Sequence, residues 1–126
     1  MFVGMFAFLA AAAAAATLNL TYVDTGKTFT LPPQTTVVVT LIETGSDGGY
    51  SWARIPGATN GKVLQFVSRR IVPPPRNKPP GTAGKVIFTY RTIAAGTAQI
   101  GLKLYRSFDP PKTPPARIFK ATIHVS

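Results

Sequence analysis

The stretch KVIFTYRTIAAGTAQIGLKLY, residues 85–105, decides how this chain is read. In its first half Val86, Phe88 and Tyr90 alternate with Ile87, Thr89 and Arg91; in its second half Ile100, Leu102 and Leu104 alternate with Gly101 and Lys103. Side chains change sides at every residue only in an extended strand, so a period of two marks two β-strands, each with an apolar face to bury. Their connection, Ala94-Ala95-Gly96, is short enough for a hairpin.

The same texture continues on both sides. Leu18, Leu20 and Tyr22 alternate with Asn19 and Thr21, and Phe29 and Leu31 follow a turn at Asp24 to Gly26. Thr35 to Ile42, with Val37, Val38 and Val39 in succession, has the β-branched density of a central strand. Tyr50 to Ile55, Lys62 to Ser68 and Ile118 to Val125 complete the set. About eight short strands between Gly- and Pro-rich breaks predict an all-β, immunoglobulin-like antiparallel sandwich. Three segments resist strand assignment: Thr44 to Gly49, Val72 to Gly84 and Ser107 to Pro115. They read as loops by their Gly, Ser, Asp and Pro content, and loops on a rigid sandwich are where binding resides. The run Pro73 to Pro80 has the composition of a polyproline ligand, but within a sandwich it reads as a stiff loop.

The chain has 126 residues, enough for one domain with one core. Residues 17–126 form that domain; residues 1–16 are an appendage. Every residue from Phe2 to Ala16 is apolar or Gly, and Ala10 to Ala16 is unbroken alanine. This is short for a membrane span, which takes about 20 apolar residues. It matches the apolar region of a cleaved secretory signal, so a secreted or periplasmic protein is expected. No Lys or Arg precedes it, and an anchor helix or an Ala-rich helix packed in an assembly also fits.

The chemistry is sparse. There is no Cys, one His (His124, inside an apparent strand) and four carboxylates, Asp24, Glu43, Asp47 and Asp109. Thiol catalysis and Cys-based metal sites are excluded, and no metal ligand set, phosphate loop, cofactor site or catalytic constellation can be drawn. Fourteen Lys and Arg give a formal charge of +10, a field that attracts acidic surfaces. The cations are scattered, however, and lack the dense run of a nucleic-acid patch. Trp52 reads as the central core residue of the sandwich, with Tyr50 on the same face of its strand.

Three motifs, in order, resemble those of the chagasin-like inhibitors of papain-type cysteine peptidases. Gly49-Tyr50-Ser51-Trp52 matches the second half of that family's NPTTGYxW, Gly81-Thr82-Ala83-Gly84 approaches its GxGG, and Arg106-Ser107-Phe108 stands where it has RPW. The resemblance covers most of Thr28 to Val125 and also takes in a hairpin between the last two loops. It implies a reversible, non-catalytic inhibitor that fills a peptidase cleft with three loops. The target-binding residues it implies are Ser46, Asp47, Gly48, Gly49, Tyr50, Gly81, Thr82, Ala83, Gly84, Arg106, Ser107 and Phe108. The sequence departs from the pattern in three places. Gly45-Ser46-Asp47-Gly48 replaces Asn, Pro and two Thr. Ala83 adds a Cβ where a positive φ is expected, and Ser107-Phe108 lacks the Pro and the indole. Arg106 is either a partner for a carboxylate at the cleft rim or a solvated strand-end charge. The rival readings are a structural or assembly protein on the same sandwich (virion decoration, pilus or surface-layer subunit) and a polyanion-binding domain.

Overall fold

A computed structural model describes residues 16–43, 49–79 and 81–126; the N-terminal segment before Ala16 lies outside them. Eight strands follow in order: β1 (Thr17–Leu20), β2 (Thr28–Leu31), β3 (Thr36–Glu43), β4 (Tyr50–Arg54), β5 (Leu64–Val72), β6 (Gly84–Thr92), β7 (Gly96–Arg106) and β8 (Arg117–Val125). They form two four-stranded sheets, β1-β3-β6-β5 and β2-β8-β7-β4. The expected sandwich stands.

The alternation read in the sequence is what holds the sheets together. Val37, Val39 and Leu41 of β3 and Val86, Phe88 and Tyr90 of β6 face Ile100 and Leu102 of β7 and Phe119, Ala121 and Ile123 of β8, all at most 1 % exposed. Each large side chain so buried stabilises the fold by roughly 1.5–3 kcal/mol. The opposite faces carry Thr36, Thr40, Lys85, Arg91, Gln99 and Lys120.

Two expectations need correction. The sheets are not wholly antiparallel, since β1 pairs parallel with β3, and β2 parallel with β8. Alternation reports which face of a strand is apolar and is blind to the direction of its neighbour, so an edge strand satisfies it either way. Nor do β6 and β7 form a hairpin: they lie in different sheets, and residues 93–95 cross between them. Both strands carry one strongly apolar face, and stacking face to face buries both. At the crossing Gly96 has φ +143° and passes so close to Val63 that a Cβ would stand 2.7 Å from its Cγ2.

Two element boundaries also differ. Tyr22 leaves the strand alternation for a 3-10 turn, Tyr22–Asp24, where the Asp24 carboxylate accepts the Thr21 N–H at 3.0 Å. That bond holds the Asp24 carboxyl below its ordinary range. Strand β5 runs on to Val72, beyond the expected Ser68, and contains a bulge between Phe66 and Ser68. Before the bulge Phe66 opposes Tyr90; after it Arg69 opposes the buried Phe88. Had residues 66–69 paired one to one with no bulge, Arg69 would have fallen opposite Ile87 and turned away from the core side.

Candidate functional site

Register brings three connections to one end of the sandwich. Glu43 pairs with Gly84, Val72 with Lys85, Tyr50 with Arg106, and Leu104 with Arg117. The segments 44–49, 73–83 and 107–116 therefore leave from the same edge of the two sheets.

The ends of the first segment are fastened between the sheets. The Trp52 indole, 3 % exposed, donates from Nε1 to the Ile42 carbonyl at 2.9 Å. Arg69, re-aimed by the bulge, donates from Nη2 to the Trp52 carbonyl at 3.0 Å and to Ser51 Oγ at 3.2 Å. It also ion-pairs with Glu43 Oε2 at 3.5 Å, and Ser51 Oγ donates to the same oxygen at 3.0 Å. Glu43 is 7 % exposed; its Oε2 takes both of these partners, while its Oε1 has no hydrogen-bond partner among the described residues.

The third segment folds back on its own strand end. Asp109 takes Arg106 in a two-point grip, with Nη2 to Oδ1 at 3.0 Å and Nε donating to Oδ2 at 3.2 Å. The guanidinium lies 4.9 Å from the centre of the Tyr50 ring and 5.2 Å from that of Phe108. Phe108 is 68 % exposed and covers Gly49, whose φ is +79° and where a Cβ would stand 2.8 Å from Phe108 Cε2. The start of β4 thus meets the third segment through Tyr50, Arg106 and Phe108, with Gly49 beneath the Phe108 ring. Arg106 is neither free for a foreign carboxylate nor merely solvated. Its charge is answered within the chain, and its flat face positions two aromatic rings.

The second segment is stiffened by Pro73, Pro74, Pro75 and Pro79. Thr82 closes it by donating both its N–H (3.2 Å) and its Oγ1 (2.7 Å) to the Pro79 carbonyl. Gly81 has φ +86°, whereas Ala83 is not among the positive-φ residues, so the expected strain at Ala83 is absent. Gly84 is required by contact: a Cβ there would collide with the Val72 carbonyl oxygen and lie 3.2 Å from Pro73 Cα. Between this segment and the β3 and β4 ends lies a trough of about 590 Å³.

Of the residues singled out in the sequence, Gly49, Tyr50, Arg106 and Phe108 are brought into one cluster. Ser107 is exposed beside it. Gly81, Thr82 and Gly84 line the trough, a neighbouring surface that also takes in Glu43 and Ser51, which bond to each other and to Arg69. Ser46, Asp47 and Gly48 lie outside the described residues. Sequence reasoning did not find Glu43, Arg69 or Asp109. The Arg106–Asp109 spacing of three was visible, but nothing in the sequence announced the register that carries Arg69 to Glu43.

No group of three His, Cys, Asp or Glu side chains able to hold a metal converges among the described residues. Fold and site together define a sandwich from one end of which three connections leave. The chain belongs to the chagasin family of peptidase inhibitors (I42), whose profile matches residues 30–123. Members of that family are inhibitors, not enzymes. No curated protein matches the chain in sequence. Among solved structures it is similar to the cysteine protease inhibitor EhICP2 from Entamoeba histolytica, with TM-score 0.77, 17 % identity, and 89 % of this chain and 97 % of that one covered. It is also similar to amebosin (TM-score 0.66, 20 % identity, 88 % and 98 % covered) and to PbICP-C in its complex with falcipain-2 (TM-score 0.55, 14 % identity, 89 % and 98 % covered).

Proposed function

We infer that this chain is a reversible inhibitor of papain-type cysteine peptidases that occludes the active-site cleft with residues 44–49, 73–83 and 107–116. The observation that carries the reading is the convergence of these three connections at one end of a sandwich whose residues 30–123 match a peptidase-inhibitor family. The mechanism needs no chemistry. A pre-ordered wedge fills the cleft, and its rigidity limits the ordering cost of binding. Tyr50 and Phe108 are of the aromatic type that dominates interface energetics, and the Arg106–Asp109 grip holds them in place before the target arrives. The assembly reading has no comparable support. Export with removal of residues 1–16 belongs to the same proposal, and the N-terminal sequence of the mature protein tests it.

Titration of the purified protein against papain and a cathepsin-L-like peptidase tests the inhibition. Reversible one-to-one inhibition is expected, with Ki raised about 100-fold or more when Arg106 and Phe108 are both changed to Ala, corresponding to roughly 3 kcal/mol. Asp47→Thr, which restores the family residue, is expected to tighten it. No inhibition by the wild type or Asp47→Thr at micromolar concentration would sink the reading while leaving the fold untouched.

A further inference from the structure

The electrostatics of the loop end point to the chemistry of the target. Each described carboxylate is consumed internally: Asp24 by Lys27, Glu43 by Arg69 and Asp109 by Arg106. Only three of the fourteen cations are used in this way, and among the described residues the others face no carboxylate. At the loop end this leaves Arg76, Lys78 and Lys112, all exposed; of these, Arg76 and Lys78 line the trough, whereas Lys112 lies on the 107–116 segment. The walls of that trough are apolar, built from Pro73, Pro74, Pro75, Pro79 and the half-exposed Ile71. Glu43 also lines it: Arg69 and Ser51 answer its Oε2, while its Oε1 has no hydrogen-bond partner among the described residues, so an acidic occupant is placed against Arg76 and Lys78 and not against Glu43.

We propose that this trough docks an acidic segment at the rim of the target peptidase's cleft, with an apolar side chain between the prolines and carboxylates against Arg76 and Lys78. The inference rests on the inhibitor reading and adds a selection rule: peptidases with an acidic rim on this side are captured fastest. Prolines suit the task, because a trough already ordered in the free protein loses little entropy when it is filled. Charges at the edge of an interface act chiefly on the rate of encounter, and steering of this kind spans about 10- to 1,000-fold.

The test is the association rate, measured by stopped flow at low and at physiological salt, between the full chain and a cathepsin-L-like peptidase with rim carboxylates. The same enzyme with those carboxylates changed to amides forms the second arm. Arg76→Gln with Lys78→Gln is expected to lower kon about tenfold at low salt and to flatten its salt dependence. The amide enzyme should show the same loss, and the combination should lose no more than either alone. The control pair Lys62→Gln and Lys120→Gln removes equal charge away from the trough and should leave kon within about twofold. Equal losses from both pairs would replace the trough with a general attraction of the whole basic molecule. Independent, multiplying losses from inhibitor and enzyme changes would overturn the docking assignment. Tight binding whose kon ignores Arg76 and Lys78 would defeat this proposal alone, whereas absence of any binding by the wild type would remove the inhibitor reading with it.

Discussion

Tyr90 shows at the scale of one residue how the core constrains chemistry. Its ring is fully buried and packs edge-on to Phe66 at 5.6 Å, yet its hydroxyl has no hydrogen-bond partner. Burial pushes the phenol up to about 12. In the unfolded chain it titrates near 10, so between about pH 10 and 12 the unfolded state releases a proton that the native state keeps. Stability contributed by this group is therefore intact below pH 10 and falls as pH rises through that window, by roughly 2–3 kcal/mol at its upper end. Tyr90→Phe should keep the fold at pH 7 with unchanged or slightly higher stability, because a buried hydroxyl without a partner costs about 1 kcal/mol or more. Its urea-unfolding free energy should also decline less between pH 10 and 12. An unchanged alkaline limb would show that other groups set it. The sequence placed Tyr90 on the inner face but could not disclose that its hydroxyl lacks a partner, which depends on what the other sheet brings opposite.

The instructive element is β5. Its exposed Arg69 and Arg70 hid the strand's second half from a reading based on alternation, and a bulge at position 67 interrupts the period itself. Yet that bulge turns Arg69 toward Glu43 and the Trp52 carbonyl and so fastens both ends of the 44–49 segment. Arg69→Met would leave the buried Glu43 charge without its cation. Because the arginine side chain is about one-third exposed, a loss of about 2 kcal/mol is expected, less than for a fully buried pair. In a Glu43→Gln background the same change should cost much less, a non-additivity measurable by denaturant unfolding. Equal losses in both backgrounds would mean that Arg69 acts through its bonds to β4 alone. By contrast, β3, β6, β7 and β8 were legible almost residue by residue, since each buries one face and shows the other. The Tyr50, Arg106 and Phe108 positions were legible through family resemblance, whereas Asp109's hold on Arg106 needed the loop's path.

At the scale of the whole molecule, the sheets are closed by strands from the front of the domain. Strand β1 covers the β3 edge and contributes Leu20 to the core, while β2 pairs with β8 almost a whole domain away in sequence. Removal of residues 1–15, which keeps the Ala16 carbonyl that accepts the Thr36 N–H at 3.0 Å, should leave the melting temperature unchanged. Removal through Leu20 should lower the melting temperature by several degrees and promote self-association through the uncovered β3 edge, as seen by sedimentation. A monomer of full stability after the longer deletion would show β1 to be dispensable. Neither parallel pairing nor the sheet-to-sheet crossing was legible, because hydrophobic patterning specifies faces and not partners.

The three segments proposed to bind do not all hang from one sheet: 73–83 joins two strands of the first, 107–116 two strands of the second, and 44–49 bridges them. The spacing of the strand ends that carry them is therefore a caliper whose jaw width is the thickness of the core. A substitution such as Phe119→Leu, far from any target, closes or tilts that caliper as the sheets settle, so packing deep in the molecule sets the gauge of the cleft it fits.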